Sequence, residues 1–150
     1  MNDLADQLHV EHEHLGRLLG LLDDERALLG AGRIDGEALG RLAAAKQATL
    51  DAVADAEAQR QALRRRRGHA ADAAGDEATA RAHDCLPLWH ALRERARTVA
   101  ARNHFNGELI ALRMTSNQRL LNDLRTLAGK HLYGPDGQAR GSETRLSSEA

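Results

Sequence analysis

The chain has 150 residues, 42% of them hydrophobic but only 2% aromatic, which suffices for one domain with a core of Leu, Ala, Val, Ile and Met. Such side chains suit helices better than sheets. A net charge of −1 from 21 basic and 22 acidic residues gives no global field for nucleic acid or an anionic membrane. The one cysteine, Cys85, excludes an internal disulfide, the N-terminal MNDLADQLHVEHEHL is too polar for a signal peptide, and no apolar run approaches the roughly 20 residues that span a bilayer. A soluble protein of the reducing cytoplasm is the expectation.

The first block of helical spacing runs from about residue 2 to 29. Leu8, Leu15, Leu22 and Leu29 recur at heptad spacing, with Leu4, Leu18 and Leu19 widening the stripe into a coiled-coil-like seam. Gly30, Gly32 and Gly36 end it, and Asp35 is placed to cap a second helix.

That second helix is expected over 36–67, with Leu39, Leu42, Leu50, Val53 and Leu63 on one side and Ala43 and Ala56 at narrower positions. The short link favours an antiparallel hairpin. The stretch 68–83, GHAADAAGDEATARAH, has much alanine and no large apolar side chain, and reads as a surface linker with nothing to bury.

The third helix is expected over 84–132, with Pro87 tolerated in its first turn. Trp89, Leu92, Ala96, Val99, Ile110, Met114, Leu121, Leu124 and Leu127 keep helical spacing along it, with Gly107 the one weak point between Trp89 and Leu127. The turn sequence from Tyr133 to Gly137 stops it, and residues 138–150 read as a disordered tail. The fold class is therefore all-α, an antiparallel three-helix bundle or coiled-coil hairpin with a long C-terminal helix, forming one domain over 1–137. At about 1.5 Å per residue the third helix outreaches the first two, so an apolar stripe of Leu120, Leu121, Leu124, Leu127 and Leu132 is expected to lack an internal partner. Self-association as a homodimer through this stripe is the competing occupant.

Polar residues interrupt the seams: Glu11 and Glu25 in the first helix, Lys46 and Arg60 in the second, Asn103, Asn106 and Asn117 in the third. Buried polar layers of this kind fix register in bundles, and that role outweighs direct ligand contact. Gly107 would admit the close approach of another helix or a slight bend. His9, Glu11, His12 and His14 lie close together, but no further matched ligands accompany them, so neither a metal nor any other cofactor is expected. Arg64 to Arg67 suit the negative end of a helix dipole better than nucleic acid, as no aromatics are interleaved. Cys85 reads as a small buried residue, and nothing in the chain assembles an enzyme's catalytic set.

The segment Arg102, Asn103, His104, Phe105, Asn106, Gly107, Glu108, Leu109, Ile110, Ala111, Leu112, Arg113, Met114, followed by Asn117, Gln118, Arg119, Leu120 and Leu121, resembles the C-terminal region of the FlgN family of flagellar export chaperones. Leu132 to Gly137, LYGPDG, is similar to the end of that family's helix, and weaker likeness in Lys46 to Leu50 and Arg60 to Leu63 extends the match from Leu4 to Gly137. The alanine- and glycine-rich stretch 68–83 and the glycines of the first two helices depart from it. The resemblance implies a cytoplasmic type III export chaperone. Such a protein binds the C-terminal helices of the hook-associated junction proteins, prevents their premature assembly and delivers them to the flagellar export apparatus. It also implies a substrate-protein-binding region at Asn106, Gly107, Leu109, Ile110, Met114, Asn117, Leu120, Leu121, Leu124 and Leu127. The alternative is a helical adaptor or regulator that applies the same apolar seam to a different partner.

Overall fold

The computed structural model describes residues 3–132. Every regular element among them is a helix: α1 Asp3–Leu29, α2 Gly36–Arg66, α3 Ala73–Ala82 and α4 Leu86–Leu132. The expected tail at 138–150 lies outside the described residues. The chain divides into two compact units, Met1–Leu109 and Ile110–Ala150, and α4 contributes to both.

In the first unit the α1 seam is complete. Leu4, Leu8, Glu11, Leu15, Leu18, Leu22, Glu25 and Leu29 are all buried, at spacings of four and three residues. The cross-links fix the helix directions. Gln7 meets Gln59, Glu11 meets Arg60 and Glu25 meets Lys46, so α2 runs antiparallel to α1. Arg95 reaches the His12 carbonyl, Arg102 pairs with Asp23 and Asn106 bonds to the Leu22 carbonyl, so this part of α4 runs in the same sense as α1. Leu63 from α2, Ala80 from α3, and Cys85, Trp89, Leu92 and Val99 from the Cys85–Val99 stretch complete the core around the α1 leucines. Each buried leucine contributes about 1.5–3 kcal/mol relative to exposure.

The α2 stripe sits one position away from the expected one at its centre. Thr49 is buried and returns its hydroxyl to the Ala45 carbonyl at 2.8 Å, while Leu50 and Ala43 are exposed. Ala56 and Leu63 are buried as expected. Asp35 caps α2 by accepting from the Ala38 amide at 3.0 Å. At the other end Gly68 takes φ 73, and the amides of Gly68 and His69 close back on the Arg65 and Arg64 carbonyls at 2.9 and 3.2 Å. That is a Schellman stop, which glycine adopts without strain.

The stretch expected to be a linker holds helix α3, capped by Asp72 through the Gly75 amide at 2.8 Å. Its hold on the unit is not a large apolar face but a charge and a few small residues. Asp76 accepts from Arg60 Nη1 at 3.1 Å and from Arg64 Nη1 at 2.7 Å, and Gly75, Thr79 and Ala80 are buried. A Cβ on Gly75 would lie 1.7 Å from the Ala70 carbonyl oxygen, so only glycine fits where the chain folds back on itself. Arg64, expected to face the helix dipole with its neighbours, is instead buried in this ion pair, while Arg65 to Arg67 remain exposed.

The interrupted seam positions form two polar layers. In one, Arg60 donates from Nε to Glu11 Oε1 at 3.0 Å, shares Asp76 with Arg64, and lays its guanidinium 4.9 Å from the centre of the Trp89 ring. In the other, Lys46 donates to both Glu25 oxygens at 3.2 Å and to Asn103 Oδ1 at 3.5 Å. Both layers match each polar seam residue of one helix to one on its neighbour, so a slip of one heptad would strand buried charge.

Candidate functional site

Helix α4 presents two different environments to its own seam. Within the first unit Trp89, Leu92, Val99 and Asn106 are buried, as is Cys85 just before the helix. Asn106 is 2% exposed and donates from Nδ2 to the Leu22 carbonyl at 2.8 Å and to Glu25 Oε1 at 2.9 Å. Its side-chain amide is thus held within the Glu25 layer of the first unit. Leu109 is half-buried and Gly107 is exposed. Among the described residues no atom of another helix lies within 4 Å of where a Gly107 Cβ would stand, so the expected helix approach at that glycine is not made by them.

In the second unit the spacing of the seam continues while its cover does not. Ile110, Met114, Asn117, Leu121 and Leu124 follow one another at four, three, four and three residues, and Leu120 and Leu127 border them, seven residues apart. All are exposed, the apolar ones from 38% at Ile110 to 66% at Met114. Seven of the ten expected site residues thus form a continuous apolar strip with Asn117 within it. Leu112, equally exposed, lies off the strip by helical angle. Monomeric surfaces rarely leave a row of leucines and a methionine in water, which makes this strip the candidate site. Its chemistry is the burial of surface: the strip itself offers only an amide, at Asn117, besides hydrocarbon and a thioether.

Two flanking cations were not among the expected site residues. Arg113 is three residues from Ile110 and four from Asn117, and Arg125 is four from Leu121. The only acid in 110–129 is Asp123. That imbalance is written in the sequence, but it is masked by the near-zero charge of the whole chain.

The other signals resolve differently. A groove of about 540 Å³ on the α1–α2 hairpin is lined by Asp24, Ala27, Leu28, Ala38, Arg41, Leu42 and Ala45, mostly short side chains that offer few anchors. Glu11 points into the core toward Arg60 while His9 is exposed, so the histidine-rich turn does not converge on one point. Partial burial, then Arg95 and His9, hold the His12 imidazole below its ordinary pKa. The buried Cys85 thiol donates to the His83 carbonyl at 3.1 Å. Among the described residues no helix is long and apolar enough to cross a membrane.

Comparison with known proteins accords with the resemblance in α4. The family model described as FlgN protein matches residues 1–141. The chain belongs to the FlgN family. Among curated relatives it is 30% identical over 142 residues to the flagella synthesis protein FlgN of Proteus mirabilis, covering 95% of this chain and 93% of that one. It is 28% identical over 138 residues to the flagella synthesis protein FlgN of Salmonella typhimurium, covering 92% and 89%. No solved structure matches. The FlgN family match includes both the first unit and the exposed strip of the second, so the strip is part of what the family model describes.

Proposed function

We propose that this protein is a binding protein of flagellar assembly and not an enzyme: a cytoplasmic export chaperone that holds the C-terminal helices of hook-associated junction proteins and delivers them to the type III export apparatus. The observation that carries the reading is the uncovered strip Ile110, Met114, Leu120, Leu121, Leu124 and Leu127 in a chain of the FlgN family. The relatives' name, flagella synthesis protein, supports a role in the same process. An amphipathic partner helix laid on such a strip is anchored by side chains at i, i+3, i+4 and i+7, a few of which carry most of the energy. Covering the strip would also keep the partner's own apolar face from assembling early.

The test is titration calorimetry of the full chain against a hook-associated protein's C-terminal region, with Leu121→Ala and Leu124→Ala combined. The double variant should bind more weakly by about 2–4 kcal/mol, roughly 30- to 1,000-fold. Normal binding by that variant would place the contact elsewhere. Recovery of a transcription or signalling factor instead of junction proteins, on co-purification from a flagellated cell, would favour the adaptor reading.

A further inference from the structure

The flanks of the strip indicate what kind of helix covers it. In the first unit three cations at or beside a filled seam are met by anions from the neighbouring helix, Arg60 by Glu11, Lys46 by Glu25, and Arg102, on α4 itself, by Asp23, while Arg95 is met by the His12 carbonyl. In 110–129 the cations are Arg113, Arg119 and Arg125, and none forms an ion pair with another described residue. The Nε of Arg113 is shielded from solvent and has no hydrogen-bond partner among the described residues. Arg113 and Arg125 stand at helical neighbour positions to the strip; Arg119, two residues before Leu121, lies toward the far side. Among the described residues the strip is therefore an apolar row with unpaired positive charge at Arg125 on one border and at Arg113 between Leu124 and Leu120, while Asp123, three residues from Leu120 and four from Leu127, stands at the other border.

Charge beside an apolar seam selects the partner more than it adds affinity. A second copy of this chain would bring the same arginines to the seam with only Asp123 within 110–129 to oppose them, and like charges across a seam are a device against pairing. Resting on the proposed role of the strip in holding a partner helix, we propose that its occupant is an amphipathic helix of another protein, with acidic residues flanking a leucine-type stripe. Glutamates or aspartates of that helix meet Arg113 and Arg125 as Asp23 meets Arg102.

Two synthetic amphipathic helices test this, identical in their leucine stripe but flanked by glutamates in one and lysines in the other. Their binding to the full chain is followed by fluorescence anisotropy at low and high salt, and sedimentation equilibrium of the chain alone is run alongside. The acidic helix should bind about tenfold more tightly at low salt, consistent with two or so exposed charge pairs gained rather than opposed. The gap should close in about 1 M salt, where the screening length falls to about 3 Å. Arg113→Glu with Arg125→Glu should invert the preference. Arg125→Glu alone, at an exposed position, should narrow it even if the double variant loses helix. Equal binding of both helices, an unmoved preference in Arg125→Glu, or a dimer of the chain that Leu121→Ala with Leu124→Ala dissolves would overturn the proposal. If neither helix binds but hook-associated protein binding still depends on Leu121 and Leu124, the acidic-helix inference fails while the proposed function stands. If the acidic helix is preferred but hook-associated protein binding ignores those leucines, the contact with hook-associated proteins lies elsewhere and the inference about the strip stands.

Discussion

Replacing Arg60 by methionine examines how the first unit holds its register. Arg60 is 7% exposed, and its guanidinium contacts Glu11 at 3.0 Å, Asp76 at 3.1 Å and Glu57 at 3.7 Å while resting 4.9 Å from the Trp89 ring centre. Methionine retains most of the stem and can pack on Trp89. Asp76 keeps Arg64 at 2.7 Å, but Glu11, 5% exposed, is left in the core without a cation. Removing one member of a buried ion pair costs about 3–5 kcal/mol, which is a large share of the roughly 5–15 kcal/mol that stabilises a whole domain. If the loss is due to the stranded carboxylate, removing it as well should restore stability. Glu11→Leu with Arg60→Met should return to within about 1–2 kcal/mol of the parent, because an apolar pair of similar volume replaces a buried ion pair at little cost. Urea denaturation followed by far-ultraviolet circular dichroism measures both. A cost below about 1 kcal/mol for Arg60→Met, or a double variant no more stable than the single one, would mean that the register does not rest on this pair.

The same contacts set four further expectations. Burial raises the Glu11 carboxyl pKa, with Arg60 pulling against it, so the folded chain keeps a proton that the unfolded chain has released. This group's contribution to unfolding free energy therefore falls as pH rises from the ordinary carboxylate value through the raised one and recovers on acidification; Glu11→Gln should remove that component from a series of urea midpoints against pH. Asn106→Ala removes bonds to Leu22 and Glu25 and should cost about 1–3 kcal/mol in urea denaturation, whereas the exposed Asn117→Ala should stay within about 0.5 kcal/mol. Gly75→Ala meets the Ala70 backbone and should lower the melting temperature despite alanine's better helix propensity, while Gly40→Ala, with open space around it, should stabilise by roughly 0.5–1 kcal/mol. Leu121→Ala with Leu124→Ala should leave the melt within a few degrees of the parent, since both side chains are about half exposed; early unfolding would mean that they belong to a core.

Helical periodicity was legible at once, because an amphipathic helix repeats its buried positions at a period that only its own residues set. The α1 seam shows this most fully: the leucines at 4, 8, 15, 18, 22 and 29 and the glutamates at 11 and 25 occupy one continuous face. Asp35 was legible as a cap for the same reason, since its partner is three residues away. The exposed strip of α4 was legible as a row of leucines, and its likeness to the FlgN family agrees with the match over residues 1–141. Helix α3 was not legible, because what holds it is Asp76 against Arg60 and Arg64, residues that local pattern does not connect. Nor was the division of the asparagines: Asn106 and Asn117 both occupy seam positions, yet one is clasped by Leu22 and Glu25 and the other faces solvent. Local sequence was enough to say which residues share a helix face, since that depends on a fixed rotation per residue. Which faces are covered and which buried charges meet was left to tertiary packing, because both depend on where segments far apart in the chain are brought together.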